Sequence, residues 1–285
     1  MTLITDNGDI RFIWKIILAL ILNLLLIVIS RLLLIFIVEQ VFILQGANPD
    51  FAFEDAQFFV SESSEGQAIA GSLDLLLIFL LVFFLVNRIE KRDFHLEELG
   101  LNLQRNTIPF VVLGVLLASL FFLGAIAIGI LLGTVVFPLL PSFDQWPLAS
   151  SFAAAILFFA VNSFWQEILF RGYLQTRAVN EYGRAIGVTG VALVFVLFHG
   201  LVQTLTPISI LTGMLLFVFI GLLYDKTRSL YLVGAFHAVL NFLPGLFDIS
   251  WQGFEAATIY GIALLLLVLL LHRKERGLQS VDRTS

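Results

Sequence analysis

Residues 165–171 of the chain read WQEILFR and lie within a long apolar run. They place a carboxylate, Glu167, and a guanidinium, Arg171, where a lipid-facing helix normally carries neither. Ionisable residues inside a membrane segment are costly, so by default they face the interior of a helix bundle and mark a functional site. The two residues are four apart, so on a helix they share a face and can pair. By itself the pair fits a structural role as well as a functional one.

The composition of the chain is that of a membrane protein. Of its 285 residues, 59% are hydrophobic and only 13% are charged, whereas about a quarter of the residues of a soluble domain are charged. Apolar runs of about 20 residues, enough to cross a bilayer, recur along the chain. We therefore predict an all-α, polytopic protein embedded in membrane lipids, located in the plasma membrane if the source is bacterial.

Several function classes are disfavoured by what the sequence lacks. It contains no cysteine, which removes disulfides, thiolate nucleophiles and zinc–thiolate sites. Its net charge of −5 gives no electrostatic reason to expect nucleic acid as a partner. The motifs HExxH and GxSxG and a glycine-rich phosphate loop are also missing, which argues against the commoner hydrolases and nucleotide-binding proteins.

Eight apolar segments are predicted to be membrane-spanning helices. The fourth begins near Ser150 and carries Glu167, and the other seven lie at about 12–42, 70–86, 109–137, 186–202, 207–224, 230–243 and 256–271. Arg31 in the first span is expected to be snorkelling or paired. Asp74 in the second span is expected to be an interface residue.

The basic residues alternate between the loops. The loops after spans two, four and six and the C-terminal tail are basic, whereas the loops after spans one, three, five and seven contain no Lys or Arg. Cytoplasmic loops carry the excess of positive charge. We therefore predict that both termini are cytoplasmic and that the polar stretch 45–67 lies outside.

Two further spans carry polar side chains that suit a site. His199 lies on the fifth span, and His237 and Asn241 lie on the seventh, four residues apart and so on one helical face. Asn241 could donate a hydrogen bond to a developing oxyanion. Each residue also has a structural interpretation, because membrane proteins use polar side chains to join helices. Together with Glu167, on three separate spans, they favour a site.

Two chemistries suit this set of side chains. Histidines and a carboxylate can hold a zinc ion that activates water, with His199 and His237 as the candidate ligands. Alternatively, the carboxylate acts as a base without any metal, while histidine and asparagine side chains stabilise the oxyanion. Both interpretations predict hydrolysis of an acyl bond within the membrane, and the choice between zinc and no cofactor stays open.

These motifs resemble those of the CAAX protease and bacteriocin-processing (CPBP) family of intramembrane proteases. That family, which includes the type 2 CAAX prenyl endopeptidases and the bacterial Abi proteins, has EExxxR, FxxxH and HxxxN on separate membrane helices. The chain has QEILFR at 166–171, Phe195 four residues before His199, and His237 four residues before Asn241. The resemblance covers about residues 150–244. It implies that Gln166, Glu167, Arg171, His199, His237 and Asn241 occupy the catalytic positions.

The chain departs from the family pattern at one position. The resemblance implies that the first glutamate of EExxxR is the base that activates water, and this residue is Gln166 here. An amide accepts hydrogen bonds but takes up no proton from water. Three explanations compete: an engineered Glu→Gln substitution, a natural pseudoprotease, or Glu167 taking over as the base. We favour the first two, because Glu167 is expected to be held by Arg171 and to point elsewhere.

The resemblance implies an intramembrane endopeptidase, by family a metalloprotease, that cleaves membrane-associated or lipid-modified peptides and is inactive or impaired because of Gln166. The alternative is a non-catalytic scaffold that binds peptides or membrane proteins. We predict an N-terminal membrane region at 1–147, a catalytic core at 148–247, and a last span with a basic tail at 248–285. The oligomeric state stays open.

A spatial prediction follows from the order of the motifs. The side chains of Gln166, Glu167, His199, His237 and Asn241 should surround one polar cavity. Counting residues along the spans places Glu167 nearer the cytoplasm than His199. The fourth helix must therefore continue past Arg171, or tilt, to bring the two residues level.

Overall fold

The structure, a computed structural model, describes residues 12–103, 106–135, 141–144, 146, 148–201 and 203–249. Within these ranges there is no β-strand. The α-helices are α1 (Phe12–Leu44), α2 (Pro49–Glu62), α3 (Ser64–Phe84), α4 (Thr107–Leu131), α5 (Ala149–Glu167), α6 (Thr176–Tyr182), α7 (Arg184–His199), α8 (Pro207–Thr227) and α9 (Leu230–Leu246). Two π-helical segments, Leu85–Ile89 and Ile168–Gln175, and a 3₁₀ turn, Leu96–Leu99, complete them.

The helices confirm an integral, multi-pass membrane protein. Five stretches are long and apolar enough to cross a bilayer: Phe12–Leu44, Ser64–Ile89, Thr107–Leu131, Ala149–Tyr182 and Pro207–Thr227. Two shorter apolar helices, α7 and α9, correspond to the predicted fifth and seventh spans. The predicted eighth span at 256–271 lies outside the described residues. The direction in which the bundle crosses the membrane stays a prediction.

The polar stretch 45–67 contains a helix, α2, where the sequence suggested only a loop. The Asn48 side chain caps it by accepting a hydrogen bond from the Asp50 backbone N–H, and Pro49 occupies the first turn, where its missing N–H costs nothing. Ala52, Ala56 and Val60 repeat every four residues and are buried. This narrow stripe packs on α1 and α3, and its small side chains explain why hydropathy alone does not reveal the helix.

The fourth span continues without a break from α5 to Tyr182, as the position of Glu167 required. Residues 168–175 form a π-helix in which every residue is buried, and the chain turns at Gly183, whose φ of 81° suits glycine. Glu167 and His199 each lie sixteen positions from Gly183 along the chain. Because α7 runs back beside the fourth span, the two side chains come to a similar depth.

The bundle is centred on the fourth span. α5 packs against α3 and α9, α4 packs on α9, and α7 packs on α6 and α8. α1 lies at the outside against α2 and α3. This arrangement brings the C-terminal end of α5, the end of α7 and the middle of α9 together.

An ion pair joins the first two spans. Arg31 lies 2.6 Å from Asp74, which also accepts a hydrogen bond from the Ser30 hydroxyl. The side chain of Arg31 is 31% exposed and that of Asp74 is 2% exposed. Arg31 is therefore paired, one of the two roles expected for it. Asp74, expected at the interface, is buried because its partner neutralises it.

Candidate functional site

A carboxylate and an imidazole meet between α5 and α9. Oε1 of Glu167 lies 2.7 Å from Nδ1 of His237, and both side chains are almost completely shielded from solvent. Buried polar groups need such partners, because removing them from water without a hydrogen bond is costly. Glu167 was expected to be held by Arg171 and to point elsewhere. It also bonds His237, a histidine of the predicted motif.

Arg171 holds the other side of the same carboxylate. Its Nε lies 3.2 Å from Oε2 of Glu167, and its Nη2 donates to the backbone carbonyl of Phe217 at 3.2 Å. The guanidinium also lies over the Phe195 ring, 4.6 Å from its centroid, where the face of the ring attracts a cation. The predicted pair on one helical face is therefore present, and it is fully buried.

The π-helical segment starts directly after Glu167. π-turns inside α-helices are frequent at functional sites, and this one holds Arg171 and ends at Gln175. Gln175 donates its side-chain amide to the carbonyl of Gly221 on α8. The fourth span is thus tied to α8 at two levels, by Arg171 on Phe217 and by Gln175 on Gly221.

The hydrogen bonds of the two histidines define their tautomers. Nδ1 of His199 lies 2.9 Å from the carbonyl oxygen of Phe195, and a carbonyl only accepts, so this Nδ1 carries the proton. Nδ1 of His237 donates in the same way to the Glu167 carboxylate. In the neutral form of each ring, Nε2 is left as an acceptor. Within the described residues, neither Nε2 atom has a hydrogen-bond partner.

The two imidazoles share an aromatic frame. The ring of Phe195 lies 4.7 Å from that of His199 and 5.9 Å from that of His237, centroid to centroid. The ring of Phe217 lies 5.5 Å and 5.8 Å from the same two rings. These apolar neighbours keep bulk water from the inner side of the site, so polar groups interact more strongly there.

Both histidines and Asn241 line one cavity of about 490 Å³. Asn241 donates one amide hydrogen to the hydroxyl of Ser163 at 3.1 Å, which leaves its second N–H and its carbonyl for a ligand. The other lining residues are hydroxyl-bearing, amide or apolar: Val196, Gln203, Thr204, Leu205, Thr206, Ser209, Thr212, Gly213, Leu216 and Phe217.

Gln166 occupies a different place. Its side chain is buried, 8% exposed, and among the described residues its Oε1 has no hydrogen-bond partner. It is not one of the residues that line the cavity. Of the residues expected around one cavity, three line it: His199, His237 and Asn241. Glu167 joins them through His237, and Gln166 lies beside Glu167 on the helix.

The sequence did not single out Ser163 or Phe217. Ser163 lies four residues before Glu167 on an apolar helix and is fully buried, so its spacing was an available signal. Phe217 contributes a backbone carbonyl and a ring, and neither function leaves a pattern in the sequence.

The donor atoms of the described residues do not form a complete zinc site. Within the described part of the chain, no group of three or more His, Cys, Asp or Glu side chains is arranged to hold a metal ion. His199 and His237 each offer one nitrogen, and the carboxylate oxygens of Glu167 already face His237 and Arg171. A catalytic zinc takes three protein ligands and a water molecule.

The fold and the site define an integral membrane protein with a buried carboxylate–imidazole pair beside a cavity. Residues 147–243 match the family model described as "Type II CAAX prenyl endopeptidase Rce1-like". The matched segment contains every residue of the candidate site, and the description of the model is that of a peptidase family. A search of curated proteins gave no match.

Proposed function

We propose that the protein is an intramembrane endopeptidase of the CAAX-protease type, cleaving membrane-associated or lipid-modified peptides, and that its turnover is low because position 166 is glutamine. The observation that carries the proposal is the Glu167–His237 bond beside a cavity that both histidines and Asn241 line. The match of residues 147–243 to a peptidase family supports it.

We assign the role of base in the cleavage step to His237. Nε2 of His237 takes a proton from a water molecule as the water oxygen attacks the peptide carbonyl carbon. The imidazolium that forms is stabilised by Glu167, which accepts from Nδ1 throughout. When the tetrahedral intermediate breaks down, the same proton passes to the leaving amine. Arg171 holds the carboxylate of Glu167 in place.

The remaining residues of the site position the substrate. The free N–H of Asn241 is available to the carbonyl oxygen on which negative charge develops, and such donors contribute a factor of about 10²–10³ in rate. Nε2 of His199 is available to orient the attacking water. Because the described residues do not offer a third metal ligand, each of these steps is assigned to a side chain.

Position 166 then accounts for low turnover. In the CPBP family, which the chain resembles, the residue at this position is the glutamate that activates water. Glutamine has nearly the same shape as glutamate but is not basic. Losing a general base costs a factor of about 10²–10⁴ in rate. His237 supported by Glu167 supplies the remaining activity.

Peptide cleavage by the chain and by Gln166→Glu tests the proposal. We expect Gln166→Glu to raise kcat by at least about 10²-fold. The matched control is Gln203→Glu, the same substitution at an exposed position that lines the cavity; it should not raise kcat. Equal rates for Gln166→Glu and the original chain would contradict the role assigned to position 166.

A second candidate function is a non-catalytic scaffold that binds peptides. Two observations favour it: among the described residues no carboxylate lines the cavity, and Oε1 of Gln166 is buried without a partner. In that case, the chain and Gln166→Glu would bind peptide with similar affinity, and neither would cleave it.

A further inference from the structure

A second cavity lies where the loop between α3 and α4 meets the turn between α8 and α9. Its volume is about 230 Å³, which is below the roughly 300–1,000 Å³ of sites for drug-sized ligands. Its described lining combines two opposite charges, Glu97 and Arg228, with the amide of Asn102 and the hydroxyls of Ser229 and Tyr231. Among the described residues, it shares no lining side chain with the cavity beside the histidines. It therefore suits a small polar group at a separate site.

Close backbone contacts hold the two walls of this second cavity together. The backbone N–H of Leu230 donates to the carbonyl oxygen of Gly100 at 3.0 Å, and the Tyr231 hydroxyl donates to the carbonyl oxygen of Leu101 at 3.3 Å. Gly100 has a φ of 76°, and a Cβ atom there would lie 2.6 Å from the carbonyl oxygen of Arg228. The loop and the turn therefore form one fixed surface.

The two charges that line the second cavity do not pair with each other. Oε1 of Glu97 accepts a hydrogen bond from the Asn102 side chain at 3.3 Å, and its other carboxylate oxygen has no partner among the described residues. The guanidinium of Arg228 lies over the Tyr224 ring, 5.7 Å from its centroid, and no described carboxylate pairs with it. Both charged side chains are exposed. A ligand that carries one negative and one positive charge would complement both.

Arg228 stands where the end of a helix commonly has glycine. It follows α8 with a φ of 51°, in the left-handed region that glycine adopts readily and other residues avoid. Non-glycine residues held in such a conformation cluster at functional sites, including ligand-binding ones. The backbone gains nothing from arginine here, so the reason for this residue lies in its side chain.

The second cavity lies at the level where the membrane meets water. α4 and α8 are both long and apolar enough to cross a bilayer, and the lining residues Thr107 and Thr227 are the first residue of α4 and the last of α8. Beside this polar lining, Leu103 and Ile108 are 80% and 75% exposed. Polar groups and exposed apolar side chains thus lie next to each other, as a lipid requires. This location is the same whichever way the bundle crosses the membrane.

We propose that the second cavity binds the phosphoethanolamine headgroup of a membrane phospholipid. Its phosphate faces Arg228, whose guanidinium donates N–H groups to phosphate oxygens. Its ammonium faces Glu97 and offers three N–H donors to the carboxylate, whereas the trimethylammonium of phosphocholine offers none. The acyl chains lie along the exposed apolar residues at the start of α4. The proposal does not rest on the proposed function, and its test needs no peptide.

Native mass spectrometry of the purified full chain tests the choice of headgroup. Phosphatidylethanolamine, phosphatidylcholine and phosphatidylglycerol with the same acyl chains are offered in equal amounts from detergent micelles. The chain should retain phosphatidylethanolamine about tenfold more than either of the others, because neither comparator offers an ammonium N–H to Glu97. Equal retention of the three lipids would overturn the proposal.

Two substitutions test the two charges separately. Arg228→Gly should lower retention of phosphatidylethanolamine by about tenfold, and the midpoint of SDS unfolding should stay the same or rise, because glycine suits the left-handed backbone. Glu97→Gln should remove most of the preference over phosphatidylcholine. Lys226→Ala and Glu181→Gln remove the same charges at exposed positions outside the cavity and should leave retention unchanged. Unchanged retention in Arg228→Gly would overturn the proposal.

A soluble headgroup distinguishes a lipid from a free metabolite. Glycerophosphoethanolamine carries the same two charges without acyl chains, so at equal concentration it should not displace phosphatidylethanolamine. Displacement at equal concentration would show that the apolar surface beside the cavity contributes nothing, and would overturn the assignment to a lipid. Selective retention of phosphatidylethanolamine by a protein that cleaves no peptide would support this proposal and contradict only the proposed peptidase function.

Discussion

Glu167 and His237 are joined by a hydrogen bond of 2.7 Å that links α5 to α9 inside the bundle. Oε2 of the same carboxylate faces Arg171. One carboxylate therefore contacts both a guanidinium within its own span and an imidazole of another span. Its removal should affect the fold and the chemistry separately, and the two effects can be measured separately.

We predict that Glu167→Ala destabilises the protein by about 3–5 kcal/mol, because it leaves the buried Arg171 without a counter-charge. The double variant Glu167→Leu/Arg171→Met should recover most of this loss. The free energy of unfolding, measured in mixed micelles at increasing SDS concentration, gives the comparison. Glu62→Ala, at an exposed carboxylate, serves as the control and should stay within about 0.5 kcal/mol. A double variant no more stable than Glu167→Ala would contradict the pairing.

The histidines should matter for rate and much less for folding. In the chain with Gln166, His237→Ala should lower kcat by about 10²–10⁴-fold, because Nε2 of His237 is the proton acceptor there. His95→Ala is the matched control, since His95 is exposed and outside the site. Peptide cleavage and the SDS unfolding midpoint are measured on the same preparations. If His237→Ala and His95→Ala cleave equally well, His237 is not the base.

Gly172, in the π-helical segment, should not tolerate a side chain. A Cβ atom there would lie 3.2 Å from Cδ1 of Leu230 and 3.3 Å from Cβ and the carbonyl oxygen of Leu99. Gly172→Ala should therefore cost about 1–3 kcal/mol through overpacking. In contrast, Gly190 on α7 has open space where its Cβ would be, so Gly190→Ala should stabilise by about 0.5–1 kcal/mol. The measurement is the free energy of unfolding in SDS. If both variants change it in the same direction, the side chains around Gly172 can move to accept a methyl group.

The two members of the Arg31–Asp74 pair should not be equally sensitive. Arg31→Met leaves Asp74 buried without a counter-charge and should cost about 3–5 kcal/mol. Asp74→Asn keeps the shape and leaves Arg31, which is 31% exposed, able to reach water, so its cost should be about 1–3 kcal/mol. SDS unfolding of the two variants and of Arg31→Met/Asp74→Leu measures the difference. An equal loss for both single variants would contradict this asymmetry.

Much of the site was predictable because its residues are exceptions in an apolar chain. Glu167, His199 and His237 are costly inside a bilayer, so the sequence marks them, and their assembly at one place was expected. The first three spans were predicted for the same reason, since the hydropathy of α1, α3 and α4 leaves no other interpretation.

The rest depends on distances that a sequence does not contain. Whether Glu167 bonds His237 or only Arg171 is decided by the separation of α5 and α9. The carbonyl of Phe217 accepts from Arg171, but every residue has a carbonyl. The helix α2 was missed because its buried stripe consists of small residues in an otherwise polar and acidic segment.

The lengths of the described helices have a consequence for the surrounding lipid. α7 and α9, which carry His199 and His237, have 16 and 17 residues and span about 24–26 Å, whereas α1 and α4, with 33 and 25, span about 50 and 38 Å. Hydrocarbon cores are about 30 Å thick, and a helix shorter than this thins the bilayer around it. The protein should therefore deform the membrane unevenly, with the thinnest lipid beside the two histidine-bearing helices. The acyl-chain length of the surrounding lipid should therefore influence the positions of the two helices that carry the histidines.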